Sequence, residues 1–371
     1  MAARGRILRA KRRPMSDPNC QPPAAHAHPF LLACRREPTP YTPIWLMRQA
    51  GRYMPEYRAL KEKHGNILNM VKDPAVATEI TLQPMRAFDL DAAIIFADIL
   101  TLLEPMGLRL EFVRGEGPII RNPIRTPSDL NRLRPTQPEM DLWFTIDAIR
   151  MTRRALGGRH PLIGFSGAPF TLACYAIEGG SSRDFARARA FMYNEPGAWG
   201  ELMTRLAEAV GDYLGAQIAA GADAVQLFDS WAGVLSPADY ARFALPYSRA
   251  ALERAVRHRP VPRIHFGVGT GGLLPLMRDA GCEVVGVDWR VDLSEAWTRV
   301  GRPSAVQGNL DPMVLFAPPD EIRRQARRIL DSVRGRPGHI FNLGHGVLEH
   351  TPVDHVRVLV DCVHEYTARD T

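Results

Sequence analysis

Two arginines four residues apart, Arg48 and Arg52, follow the apolar run Ile44-Trp45-Leu46-Met47. A guanidinium presents a planar fork of N–H donors that matches a carboxylate, so the pair suits a ligand rich in acid groups. On residue type alone they serve equally well as partners for acids on neighbouring loops, because surface ion pairs are common. Other chemistry-bearing residues share this placement just past a short apolar run: Asp98, Ser166-Gly167, Asp229-Ser230, Asp288, Asn309 and Gly344-His345-Gly346. Taken singly, Asp229, Asp288 and Asn309 read as helix caps and Ser230 as a turn residue. Asp98 reads either as a cap or as a carboxylate facing a cavity, where it would accept N–H groups and stabilise positive charge.

What positions these residues is a repeating element. Short apolar runs occur at 43–47, 92–97, 161–165, 224–228, 263–266, 284–287, 304–307 and 339–343, each followed by a segment of helical periodicity. Continuous apolar strands alternating with helices form a parallel sheet covered on both faces, and eight of them predict a closed, distorted (β/α)8 barrel of the TIM type. In that architecture the C-terminal strand ends meet at one mouth, which brings the residues above together. Between the second and third strands, Leu108 to Ile120 alternates around Arg114-Gly115-Glu116-Gly117 and predicts a β-hairpin insertion. Pro196 opens a helix that Gly221 stops after Ala220, and Thr351-Pro352 caps another. Residues 1–40 are expected to be a disordered or extended lead-in to a single domain over 41–371.

Composition narrows the classes. No apolar run approaches the ~18 residues of a spanning helix, which predicts a soluble, cytoplasmic protein without membrane partners. The cysteines, Cys20, Cys34, Cys174, Cys282 and Cys362, are odd in number and form no CxxC pair. They read as reduced thiols, not as a disulfide framework or a clustered zinc site. The net charge of +7 rests on arginine, since only four residues are lysine, and six basic residues crowd Met1 to Pro14. That segment resembles a transit peptide or an over-extended start, and the remaining excess suits a basic cleft for a polyanionic small molecule better than nucleic acid. Gly267-Val268-Gly269-Thr270-Gly271-Gly272 fits GxGxxG, with Asp288 where a ribose-binding acid would stand. A glycine-rich βα turn of a barrel fits the same pattern, and that is the reading adopted.

As ordered strings, WLMRQAGRYMPEYR, LDAAIIFADIL, GFSGAPFTL, VQLFDSWAG, GVDW, QGNLDP and NLGHG resemble the uroporphyrinogen decarboxylase family over the stretch from Pro43 to about His364. The resemblance implies conversion of uroporphyrinogen III to coproporphyrinogen III, a homodimer, and no cofactor or metal. It implies a substrate site of Arg48, Gln49, Ala50, Gly51, Arg52, Asp98, Tyr175, Ser230 and His345, with catalytic roles for Arg48, Asp98, Tyr175 and His345. Tyr175, which on composition alone is a core residue, would then reach an acetate with its hydroxyl. An arginine is a difficult acid at a pKa above about 12, which leaves Tyr175, His345 or a bound water as other proton donors. Two alternatives stand beside this reading: a zinc- and corrinoid-dependent methyltransferase on the same barrel, and a non-catalytic tetrapyrrole carrier. Against the first, His265-Phe266-Gly267 offers no His-x-Cys ligand pair.

Overall fold

A computed structural model describes residues 28–368, apart from 114 and 302. Nine strands follow in chain order: β1 (Ala93–Ile94), β2 (Leu110–Val113), β3 (Gly117–Ile120), β4 (Leu162–Gly167), β5 (Ala224–Asp229), β6 (Arg263–Gly267), β7 (Val284–Gly286), β8 (Ala305–Gln307) and β9 (His339–Ile340). Seven of them form one parallel sheet in the order β1-β4-β5-β6-β7-β8-β9, while β2 and β3 pair only with each other as the antiparallel hairpin expected from the sequence. Helices connect successive parallel strands, as the alternating pattern requires.

The expected first strand, 43–47, is present only as a parallel bridge from Ile44 to Phe341. It still closes the barrel. Phe341 N donates to Pro43 O and Trp45 N to Phe341 O on one side, and Asp91 N donates to Ile44 O at the β1 edge. Ladder pairing stops there because side chains capture the remaining amides. Ile44 N donates to Asp91, Leu46 N to Gln49 and Met47 N to Asn342.

Strand residues alternate between two cores. Val225, Leu227, Val285, Val306 and Phe341 belong to the core shared with the surrounding helices, while Ala224, Ile264, Val284, Ala305 and Ile340 belong to a second one. Phe30, Leu31 and Cys34 join that second core from a short helix, Pro29–Cys34. This corrects the expectation of an extended lead-in through residue 40. Pro29 sits at the helix start, where its missing N–H costs nothing, and the apolar residues behind it are buried. The basic segment Met1 to Pro14 lies outside the described residues.

The long helix Pro196–Ala220 runs as expected and ends at Gly221, whose φ of 122° suits only glycine. Thr351 does not cap the final helix, Val353–Thr367: Pro352 is its N-cap residue, and no side-chain capping bond forms. The four described cysteines, Cys34, Cys174, Cys282 and Cys362, are buried and unpaired, and Cys20 lies outside the described residues. Among the described residues, no helix is long and apolar enough to cross a membrane.

Candidate active site

A cavity of about 620 Å³ opens at the C-terminal end of the strands. Its floor is apolar. Phe165, Phe228 and Phe266 stand near the ends of β4, β5 and β6 and pack edge to face, with centroids 5.3 Å and 6.0 Å apart along the row. Phe112 and Pro118 of the hairpin form a side wall. The hairpin is fastened there by Ile120 N donating to Gly179 O and Ile124 N to Ala176 O, at the end of the helix Pro169–Glu178 that carries Tyr175.

Against this apolar surface stand the polar groups. Arg48, Ala50, Gly51, Arg52, Asp98, Tyr175, Ser230 and His345 all line the cavity. Gln49 does not. It is fully buried, accepting from Leu46 N and donating to Ala92 O, so its amide braces the turn from behind. Backbone strain in that turn falls on Arg48 itself, at φ 59°. A non-glycine residue in the left-handed region costs about 1–2 kcal/mol and persists only where its surroundings over-determine it. Here the surroundings include Gly346, where an added Cβ would overlap Arg48 Cδ.

Asp98 lines the cavity and closes a turn without capping a helix. Oδ1 accepts from Leu100 N at 2.8 Å and steadies the following turn, while Oδ2 has no hydrogen-bond partner among the described residues. Burial pushes its pKa up to about 6, against the opposing effects of the Leu100 amide and the Arg48 charge. Arg48 forms no ion pair among the described residues, and the cavity's low polarity draws its pKa down despite the pull of Tyr175 and Asp98. Tyr175, edge-on to Trp231 at 6.0 Å, has its pKa raised by burial. His345 is lowered to about 4 by burial and by the Arg48 and Arg290 charges, so its imidazole is neutral at pH 7.

The glycines flanking His345 answer to close packing. A Cβ on Gly344 would overlap the Trp289 backbone, and Gly346 lies against Arg48. Trp289 meets the His345 ring edge-on at 6.2 Å and carries the Arg290 guanidinium on its face at 3.9 Å.

The remaining strand-end residues serve the scaffold, though not as helix caps. Asp229 accepts from Thr171 Oγ1 at 3.0 Å and lies 3.5 Å from His265 Nε2, both fully buried. Asp288 accepts from Gly269 N and Arg290 Nη1, which ties down the glycine-rich turn and leaves the acid no freedom to hold a ribose. Asn309 donates to Asp288 O and Val291 O.

With this geometry in place, comparison with known proteins is decisive. The model of the family described as uroporphyrinogen decarboxylase matches residues 25–366. The chain belongs to the uroporphyrinogen decarboxylase family. A uroporphyrinogen decarboxylase of Roseiflexus sp. is 59% identical over 91% of this chain and 98% of its own. Another, of Chloroflexus aurantiacus, is 58% identical over 91% and 95%. Among solved structures, a methyltransferase from Methanosarcina mazei superposes with a TM-score of 0.78 over 91% of this chain and 97% of its own, at 20% identity. At that identity the likeness shows the shared barrel.

Sequence reading missed the phenylalanine floor and Glu349, which also lines the cavity. A signal for the floor existed, because Phe165, Phe228 and Phe266 each close one of three successive apolar runs and are followed directly by Ser166, Asp229 and Gly267. Glu349 carries no such mark.

Proposed function

We infer that the chain catalyses decarboxylation of the four acetate side chains of uroporphyrinogen III to methyl groups, giving coproporphyrinogen III in tetrapyrrole biosynthesis. The observation that carries this reading is that one cavity is lined by an apolar aromatic floor, by Asp98 with one carboxylate oxygen unbonded among the described residues, and by Arg48, which forms no ion pair among them. A tetrapyrrole needs an apolar bed, an acceptor for its pyrrole N–H groups and cations for its carboxylates. Family membership over nearly the whole chain supports the same conclusion.

The chemistry follows from the substrate. Protonation of a pyrrole α-carbon makes the ring cationic. The bond between the acetate CH₂ and its carboxylate then breaks, its electron pair neutralises the ring, and CO₂ leaves. Protonation of the resulting exocyclic methylene and loss of the α-carbon proton restore the pyrrole with a methyl group. Each cycle consumes one proton. Asp98 supplies the charge that stabilises both cationic stages, in a site dry enough for that charge to act strongly. Arg48 and Arg52 hold substrate carboxylates and offset their desolvation, and Ser230 and the Tyr175 hydroxyl orient them. Neutral His345 acts as a hydrogen-bond partner. Of these groups Asp98 titrates nearest neutrality, so its protonation state sets the acid limb of activity.

We further propose a cytoplasmic homodimer that binds neither nucleic acid nor membrane. Exposed Met313 and Phe316, on the short 3-10 helix Pro312–Phe316 after β8, support a protein contact there. Sedimentation at micromolar concentration checks the dimer. The activity itself is tested by anaerobic incubation of the purified protein with uroporphyrinogen III, resolving products by carboxyl number. Seven- to four-carboxyl porphyrinogens are the expected products. Tight binding without CO₂ release would instead favour a carrier.

A further inference from the structure

The two cavity arginines are in different states. Arg48 has no carboxylate partner among the described residues, whereas Arg52 Nη1 donates to Glu349 Oε2 at 2.9 Å. Both members of that pair line the cavity, and both are about half exposed, at 53% and 48%. They bridge two rims. Arg52 belongs to the loop after the closing segment 43–47, and Glu349 to the loop after His345, which is anchored by Val347 N donating to Met47 O at 2.8 Å.

An acid at this point is unexpected for a cavity that receives a polyanion, because it adds a negative charge beside the approaching carboxylates. It makes sense as an exchangeable partner. An exposed ion pair is held weakly, and its members are rehydrated at little cost when they part. With Glu349 and Asp98 ionised, the two guanidiniums lining the cavity are balanced by two carboxylates, so a substrate acid approaching Arg52 competes with Glu349 for its charge and for the Nη1 donor.

Resting on the decarboxylase reading above, we propose that Glu349 is an internal stand-in for a substrate carboxylate. It holds Arg52 in place while the cavity lacks substrate, yields the guanidinium to an acid side chain of the tetrapyrrole on binding, and reclaims it when product leaves. Glu349 thereby sets how tightly successive carboxylated intermediates are kept. It is a positioning residue, acting through Arg52.

The test is a double-mutant cycle on the full chain, with Glu349→Gln, Arg52→Gln and the double variant assayed anaerobically on uroporphyrinogen III. Loss of the competing acid should lower KM about two- to fivefold in the Arg52 background, the range expected for an exposed pair. The drop should shrink at high salt and vanish in the Arg52→Gln background. An unmoved KM for Glu349→Gln would overturn the proposal while leaving the decarboxylase reading intact. An equal drop in both backgrounds would also overturn it, because it would mark a general field effect without partner exchange. Absence of wild-type turnover would overturn both readings together.

Discussion

The two ends of the barrel use the same residue types to opposite ends. At the N-terminal end, acids placed just before strands are fully employed. Asp91 accepts from Ile44 N at 2.7 Å and Tyr41 OH at 2.9 Å and meets His364 Nε2 at 2.8 Å. Asp223 accepts from Leu162 N and Arg153, and Glu283 accepts from Arg263 through backbone and side chain. At the C-terminal mouth, Asp98 keeps one oxygen unbonded, Arg48 lacks an ion-pair partner among the described residues and sits in a strained conformation, and His345 is held neutral. Satisfied charge fixes the scaffold; on the function proposed above, unsatisfied charge is what meets the ligand. Where mouth residues are satisfied, as with Asp229 and Asp288, they hold neighbouring turns in place.

Substitutions should separate the two ends. The largest effect is expected for Asp98→Asn. Removing a preorganised charge from a desolvated site should lower kcat about 10²- to 10³-fold, measured as CO₂ release under anaerobic conditions. Because the folded-state pKa of Asp98 is raised from 3.8 to about 6, ionising it in the fold is unfavourable, and the cost develops as pH rises between those values. Asn should therefore raise unfolding stability at pH 7 by on the order of 1 kcal/mol. A variant that is both slower and less stable in urea would contradict the assignment.

At the opposite end, Asp91→Ala should cost about 3 kcal/mol of stability, because it leaves the buried Ile44 amide without its acceptor and His364 without its counter-charge. Activity per folded molecule should hold, so a kcat loss matching that of Asp98→Asn would break the division between the ends.

The pH profile sharpens the same contrast. On the acid side kcat/KM should fall about tenfold per unit below pH 6 as Asp98 protonates, with no inflection from His345 before pH falls to its pKa of about 4. The smallest effect concerns His364. Burial opposes its charging, but hydrogen bonds to Asp89 and Asp91 outweigh that and raise its pKa from 6.5 to about 9. A raised histidine stabilises the fold fully below pH 6.5 and loses that contribution as pH rises through about 9. Thermal melts should show on the order of 1 kcal/mol lost across that window, and His364→Gln should flatten the curve.

How much of this was legible in the sequence depended on whether a residue's role was local. Seven strands and the hairpin declared themselves through apolar runs and turn glycines, because strand burial is written in consecutive residues. The segment 43–47 looked equally apolar yet pairs at a single bridge, since Asp91, Gln49 and Asn342, distant or out of phase in sequence, take its amides. The helix Pro29–Cys34 hid among prolines whose disruptive reputation does not apply at a first turn. The cavity residues Arg48, Asp98, Ser230 and His345 were legible as strand-end positions, but their states were not. That Arg48 forms no ion pair among the described residues while Arg52 does depends on a loop roughly 300 positions away, and no pattern near the arginines encodes it.

The left-handed backbone at Arg48 carries an evolutionary consequence. Glycine adopts that conformation freely, so Arg48→Gly would relieve about 1–2 kcal/mol of conformational cost while deleting the guanidinium. A laboratory population selected for heat tolerance alone would be drawn toward that replacement and would shed the cation proposed to hold substrate. On that role, concurrent selection for tetrapyrrole supply is what keeps an arginine where the peptide chain would rather have none.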